Sequence, residues 1–368
     1  MHSYAHTYSH GVQLPIGSVA VRLMPICHGG LMVSKRPTSF DIAALAGVSQ
    51  PTVSRALSGS PAVSEETRRK VIAAASQLNY TVDKNASGLR RRSSNTIALL
   101  FFEDPTPDNS LINPFYLSML GSLARAAADK GYDLLISFQQ LSEDWHVDYE
   151  DSHKADGIIL LGYGDYLKAR PRLEQLVGQE THFVRWGAAK AGQIGTTVGS
   201  DNDQGGYLVG NHLLARGRTK VAFLGQSDES APEFLERYLG LARGLGENGH
   251  EIIASHDAIA TIEAGEIAAR NLLKSGVPFD AIFAAADPIA IGAMNVLREA
   301  GRSVPEDVSI IGFDDSAAAT LTTPPLTSVS QNVRTAGETL ISTLLKKIAN
   351  EAPDSVLLPV DLKVRGSS

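Results

Sequence analysis

A single cysteine, Cys27, among 368 residues excludes any disulfide within the chain. That usage suits a reducing cytosol rather than a secreted scaffold held by covalent staples. No apolar run reaches the roughly 20 residues that a membrane-spanning helix requires. Signatures of catalysis are missing too. Gly162-Tyr163-Gly164 lacks the third glycine of a dinucleotide loop, and there is no P-loop, no GxSxG and no zinc-spaced Cys/His set. Internal repeats and low-complexity tracts are absent. These gaps lead us to expect a cytoplasmic, non-enzymatic protein without metal, cofactor or membrane partner.

The first residues are also defined by what they lack. MHSYAHTYSHGVQLPIGSVAVRLMPICHGG shows no helical or strand period, and with Arg22 inside its mildly apolar centre it makes a poor signal peptide. His2, His6 and His10 have helical spacing, but Gly11 and the turn-like surroundings argue against a helix that would present them to a metal. Met32 stands just before VSKRPTSF, as a start would. Residues 1–34 are therefore expected to be a leader, disordered or an upstream extension of the true reading frame.

What is present becomes informative at residues 39–80, SFDIAALAGVSQPTVSRALSGSPAVSEETRRKVIAAASQLNY. Ser39 can cap a helix with Ile42, Ala43, Leu45 and Ala46 on one face. Gly47 supplies the left-handed residue of a sharp bend. Ser49 can cap a second helix through Thr52, Val53, Ala56 and Leu57, with Pro51 tolerated in its first turn. Ala43 and Val53 are of a size that lets the two helices cross closely. Ser64 caps a third helix whose apolar stripe is Val71, Ile72, Ala75 and Leu78. This is a helix-turn-helix within an all-α domain spanning 35–80. In such a module the second helix enters the major groove with its N-terminal residues on base edges. Gln50 suits the N6/N7 edge of adenine, and Arg55, one turn on, the O6/N7 edge of guanine. The ordinary alternative for both is a solvated side chain or a phosphate contact.

Charge agrees with this assignment. Between Lys35 and Arg92 stand ten Lys/Arg against four Asp/Glu, whereas the whole chain carries −7. Residues 93–368 thus hold about −14, so a basic head is joined to an acidic body.

AGVSQPTVSRAL, with VSEETRRKV and LNY after it, resembles the lactose-repressor (LacI/GalR) family of bacterial regulators. The likeness resumes in the order NPFY, GYDLLIS, DGIILLG, GFDD and PPLTSV, and covers residues 38–366. It implies that Ser49, Gln50, Pro51, Thr52 and Arg55 contact DNA. It also implies a hinge helix within 81–95, with Ala86 and the wedge Leu89 in the minor groove and Arg90 on phosphate. Val82, Asp83 and Ser87 stand where the family commonly has proline, asparagine and arginine, and Gly88 weakens an isolated helix, so a looser hinge is expected.

From residue 96 short apolar runs alternate with amphipathic helices, the pattern of parallel sheets with crossover connections. Strands are expected at 96–102, 132–138, 156–162, 181–187, 197–201, 221–225, 250–254, 281–286 and 308–313, and a last one at DLKVRG. Helices are expected at 114–130, 143–154, 165–177, 203–215, 232–248, 262–275, 288–300 and 332–350. About 270 residues exceed one sheet, which predicts two lobes. The resemblance implies an α/β two-lobed, periplasmic-binding-protein-like core. Its chain crossings would lie near 188–195, 322–328 and 350–356. The lobes would then be 96–190 plus 328–350 and 191–327 plus 351–368.

Ligands of open α/β sheets bind beyond the carboxyl ends of strands. That rule selects Phe115, Tyr116, Arg185, Trp186, Asp287 and Asp314. Carboxylates and guanidinium groups can grip neighbouring hydroxyls and aromatic rings can cover a sugar face, so a polyol is the expected effector. The resemblance implies that Arg237 in EFLERYLG and Asp314 in GFDD hold the effector, and that Trp186 occupies a lid position. Arg185 departs from the family, which implies an anionic ligand group or an internal salt bridge. Asp201 reads as a helix cap, and Asp287 as either a cap or a ligand contact. The expected partners are a pseudo-palindromic operator duplex, a sugar and a second copy of the chain; a purine or other co-repressor is the alternative effector. No leucine heptad tail is visible, so the expected assembly is a homodimer, nucleoid-associated, rather than a tetramer.

Overall fold

The structure is a computed structural model that describes residues 37–80, 93–101, 112–138, 144–162, 165–190 and 192–368. The chain divides into two units, Met1–Val82 and Asp83–Ser368. The expected leader and most of the expected hinge lie outside the described residues.

In the first unit α1 spans Ser39–Ala46, α2 Gln50–Leu57 and α3 Glu65–Gln77. Thr38, not Ser39, caps α1. Its N–H and its hydroxyl each donate to the Asp41 carboxylate at 2.7 Å, the reciprocal half of a capping box. Gly47 takes φ 67°, the left-handed bend between α1 and α2. The core is Ile42, Ala43, Val53, Ala56, Val63, Val71, Ala74 and Ala75. Leu45 and Ile72, expected in the apolar stripes, are 46% and 48% exposed. Three small helices offer too narrow an interior for every apolar residue on a helical face.

The second unit contains, in chain order, β1 Thr96–Phe101, α4 Pro114–Asp129, β2 Asp133–Phe138, β3 Gly157–Leu161, α5 Tyr166–Gly178, β4 Phe183–Trp186, β5 Thr196–Ser200 and α6 Asn202–Ala215. There follow β6 Val221–Leu224, α7 Pro232–Gly246, β7 Ile252–His256, α8 Ile262–Lys274, β8 Ala281–Ala284, α9 Asp287–Glu299, β9 Ser309–Asp314, β10 Thr327–Ser330, α10 Val333–Ile348, β11 Val356–Leu358 and β12 Asp361–Lys363. Among the described residues two six-stranded sheets result. The first, ordered β11-β5-β4-β3-β1-β2, is parallel throughout. The second, ordered β12-β10-β9-β8-β6-β7, is parallel except where β12 meets β10.

The first sheet is covered on both faces, as buried parallel strands require. One face packs Phe115, Met119 and Leu123 of α4 and Leu340, Ile341 and Leu344 of α10; the other packs Trp145, Tyr149, Leu173 and Leu176. The expected helix at 143–154 is only a short turn with a π segment at Val147–Asp151, ended by His153 at φ 57°.

The chain passes between sheets later than expected. β5 pairs with β4, so the first passage follows Ser200 rather than falling at 188–195. β10 pairs with β9, which moves the second from 322–328 to the link before Val333. β11 pairs with β5, which moves the third from 350–356 to the link between Leu358 and Asp361. TSVS and VLL are four and three residues long, too short to show a strand period in the sequence.

Candidate nucleic-acid interface and effector cleft

The start of α2 presents the predicted reading face. Ser49, Pro51 and Arg55 are exposed, and Gln50 and Thr52 are half-buried. The hydroxyls of Ser49 and Thr52 bond to each other at 2.8 Å. Gln50 Nε2 donates to Ser39 Oγ at 3.2 Å, which orients its amide along the first turn of α1. Next to Ser39, Phe40 is 71% exposed; the sequence reading passed over it because one aromatic outside the apolar stripe carries no periodic signal. Among the described residues no side chain pairs with Arg55. The neighbouring cations differ: Arg68 donates to Ala56 O at 3.1 Å, Ser60 O at 2.9 Å and Glu65 at 3.0 Å, and Lys70 pairs with Glu66 at 2.8 Å. Ala86, Leu89 and Arg90 lie outside the described residues.

In the body, Arg237 and Asp314 come together as the resemblance implied. Both are almost fully buried, with Arg237 Nη1 3.9 Å from Asp314 Oδ1. That gap is longer than a hydrogen bond. Arg237 Nε donates to Asn202 Oδ1 at 2.8 Å, Nη1 donates to the Ala285 carbonyl, and the guanidinium lies 3.7 Å from the Phe313 ring centre. Glycines position this arginine. A Cβ at Gly206 would stand 2.1 Å from Arg237 O, and one at Gly240 1.9 Å from Asp203 O. Only bare backbone lets α6 lie close enough to α7 for Asn202 to reach Arg237. Asp314 accepts from Gln331 Nε2 at 2.5 Å and sits at φ 113°, followed by Asp315 at φ 51°. Two successive non-glycine residues at positive φ form a strained turn of a kind concentrated at functional sites. Asp315 secures that turn through Arg365 at 2.5 Å and Ser328 at 3.0 Å.

The remaining predicted residues divide. Phe115 and Trp186 lie 5.9 Å apart and Phe115 and Tyr116 5.3 Å, a buried aromatic wall continuous with the core of the first sheet. Asp287 is neither a cap nor open to the cleft. Its two oxygens accept from Ser316 N–H at 2.7 Å and Ser328 Oγ at 2.6 Å, and burial pushes its carboxyl up to about 6. Asp201 does cap α6, accepting from Gln204 N–H at 3.0 Å. Arg185 donates to Ile194 O at 3.2 Å and Gln193 Oε1 at 2.5 Å; burial lowers its pKa while the charge of Glu233 works against that shift. With Tyr166, Trp186 and Glu233 it lines a cavity of about 40 Å³. Arg185 is thus bonded internally, to a carbonyl and a side-chain amide rather than in a salt bridge.

Among the described residues several hydrogen bonds tie the lobes away from the chain passages. Tyr166 N–H donates to Ser230 O at 2.9 Å, Ala188 N–H to the Glu233 carboxylate at 2.9 Å, and Asn113 Nδ2 to Ala260 O at 3.3 Å. Asn113, Asn202 and Glu233 are participants the sequence reading missed. Glu233 precedes Arg237 by one helical turn, a spacing that would have placed both on one face. Among the described residues no helix is long and apolar enough to cross a membrane, and no cluster of His, Cys, Asp or Glu could hold a metal ion.

Residues 40–83 match the model of the bacterial regulatory proteins of the lacI family, and 211–368 that of a periplasmic binding protein-like domain. The transcriptional regulator CelR of Thermobifida fusca is 31% identical over 90% of this chain and 98% of its own length. MalR of Streptomyces coelicolor is 32% identical over 89% and 95%. Among solved structures, a CelR–cellobiose complex superposes with TM-score 0.67 at 30% identity, covering 90% of this chain and all of that one. The lac repressor dimer bound to operator and the anti-inducer ONPF gives 0.77 at 26%, covering 90% and 99%. The relatives are regulators rather than enzymes, and they match across head and body alike; this chain belongs to the lacI family of bacterial transcription regulators.

Proposed function

We propose that this protein is a homodimeric repressor whose grip on a pseudo-palindromic operator is set by a sugar held between its lobes. The observation that carries the reading is the buried Arg237–Asp314 pair, kept beyond hydrogen-bond length on a strained turn. A guanidinium and a carboxylate spaced in this way can each take a neighbouring hydroxyl of one polyol. Trp186 and Phe115 supply the apolar wall for its C–H face. The relatives support a sugar: CelR has been solved with cellobiose, and a LacI family regulator from Enterococcus faecium with ribose. On the DNA side the reading assigns Arg55 and Gln50 to base edges, Ser49, Pro51 and Thr52 to the groove wall, and Ala86, Leu89 and Arg90 to the hinge. Leu321, 83% exposed beside the groove formed by Ile291, Met294 and Pro324, belongs to the dimer surface in this reading. The working place of such a protein is the nucleoid.

Effector action is reciprocal: a sugar that weakens operator binding must itself bind the DNA complex less tightly. The test is to select a duplex from a random library with the full-length protein, then titrate it with cellobiose, ribose and other sugars present. One sugar should shift the operator affinity at least fivefold. Selection of no duplex, or no shift with any sugar or purine, rejects the reading.

A further inference from the structure

Among the described residues the carboxylate of Asp156, just before β3, accepts four hydrogen bonds, and all four come from the three residues preceding β1. Ser93 Oγ donates at 2.5 Å, Ser94 N–H at 2.5 Å, Ser94 Oγ at 2.8 Å and Asn95 N–H at 2.9 Å. Asn95 takes φ 50°, and its carbonyl accepts from Asp133 N–H at 2.9 Å. The Asp156 N–H donates in turn to Thr96 O at 2.8 Å. The amino ends of β1, β2 and β3 thus converge on one short stretch of chain.

The strand does not need this clamp. β1 is an inner strand, paired with β2 from Thr96 to Phe101 and with β3 from Ile97 to Phe101. Residues 93–95 lie outside it, where a chain entering a sheet ordinarily frays. Asp156 makes no ion pair among the described residues, so its acceptor capacity goes to this stretch. The chain continues from Ser93 through Arg92, Arg91 and Arg90 toward the DNA-reading head.

We propose that Asp156 is a positioning residue for operator binding: it fixes the point at which the tether of the DNA head leaves the body. The inference rests on the regulator reading above. Two heads on one dimer bind a two-half-site duplex with an effective concentration set by the length and origin of their tethers. A clamp on 93–95 holds these three residues on the body and gives each head a defined origin. Loss of the clamp leaves each head's own DNA contacts intact but lowers the joint occupancy of both half-sites.

The test uses the full-length protein, a duplex selected from a random library by the wild type, and a random-sequence duplex. The variants are Asp156→Ala, Asp156→Asn, and Ser93→Ala with Ser94→Ala, which removes two donors and keeps the carboxylate. Amide exchange at Ser94 and Asn95 reports the clamp, and thermal melting reports the fold. The expected result is faster exchange at both amides and about tenfold weaker binding to the selected duplex. Binding to random duplex and the melting temperature should stay unchanged. Wild-type affinity for the selected duplex despite fast exchange overturns the proposal. Parallel loss of both duplexes with a lowered melting temperature also overturns it, since that is a structural role; if the Asp156 variants fail to fold, the serine pair is read by the same criteria. Failure of the wild type to select any duplex is a different outcome, and it removes the regulator reading itself.

Discussion

The Arg237 guanidinium lies over the ring of Phe313, the residue before Asp314, so the ring that supports it and the carboxylate that balances it come from successive residues of one strand. Removing one partner of a buried pair strands the other charge, at about 3–5 kcal/mol. Arg237→Ala therefore confounds stability with function. Asp314→Asn is the cleaner probe, because the amide keeps the shape and can still accept from Gln331. Asp314→Asn also takes the counter-charge from Arg237, so we expect it to melt below wild type, yet to bind the selected duplex like wild type and lose at least fivefold coupling to the effector sugar. Full retention of the sugar response would make Asp314 a purely structural residue.

Arg55 is exposed and unengaged by any side chain among the described residues, the state expected of a residue that waits for a base edge. Arg55→Ala should cost about 1–3 kcal/mol on the selected duplex and relax discrimination at one base pair. Affinities measured across a set of single-base variants of that duplex decide the matter. A uniform loss over all sequences would assign Arg55 to phosphate.

Arg68 belongs to the same basic head but has a different role. Its guanidinium closes the carboxyl end of α2 by bonding Ala56 O and Ser60 O. Charged hydrogen bonds of this kind contribute about 1.5–3 kcal/mol each, and the lower end applies here because Ala56 O also accepts from Gly59 N–H and Ser60 O from Val63 N–H, both at 3.3 Å. Arg68→Ala should lower the helical content of the head and weaken selected and random duplexes together, by circular dichroism and parallel titrations. Lysine cannot reach both carbonyls with one ammonium and should rescue little.

The contrast between these two arginines marks how far the sequence could be read. Ile42, Val53 and Val71 announce the head because helical periodicity records which side faces inward. Long apolar strands such as AIFAAA and SIIGF were visible for a similar reason. Arg237 is placed by a resemblance alone, Asp314 by its strand end as well, and their partner Asn202 escapes the sequence because its role depends on bare backbone at Gly206 and Gly240. Arg185 and Asp287 sit at strand ends as a binding residue would, yet their bonds go to Gln193, Ile194, Ser316 and Ser328. Strand-end position selects a neighbourhood; only the packed side chains tell which polar groups are already satisfied.

Glu233 makes one of the ties between lobes, through the Ala188 N–H, and its charge faces Arg185. Glu233→Ala removes an acceptor from a buried N–H and leaves a desolvated guanidinium without its counter-charge. The closed arrangement should lose ground to a more open one. Small-angle scattering is expected to show a larger radius of gyration in solution without sugar, and the effector should bind more weakly because closure must be regained. An unchanged scattering profile with unchanged sugar affinity would show that the Tyr166 and Asn113 bonds suffice.

Asp287 gives a pH dependence whose sign can be stated beforehand. Burial raises its carboxyl from an ordinary 3.8 to about 6 in the folded chain. Between those values the folded protein holds a proton that the unfolded chain has released. Stability from this group therefore falls as pH rises from about 4 to about 6, by up to about 1.4 kcal/mol per pH unit, and is flat above. Asp287→Asn lacks the titration. Its Oδ1 can accept from Ser316 N–H while the Ser328 hydroxyl turns to accept from Nδ2, so the fold should be kept. Thermal unfolding of both proteins from pH 8 to pH 5 should show the wild type gaining on the variant only below about pH 6.5. Parallel curves over that range would mean that Asp287 stays ionised, with the two donors at Ser316 and Ser328 outweighing its loss of water.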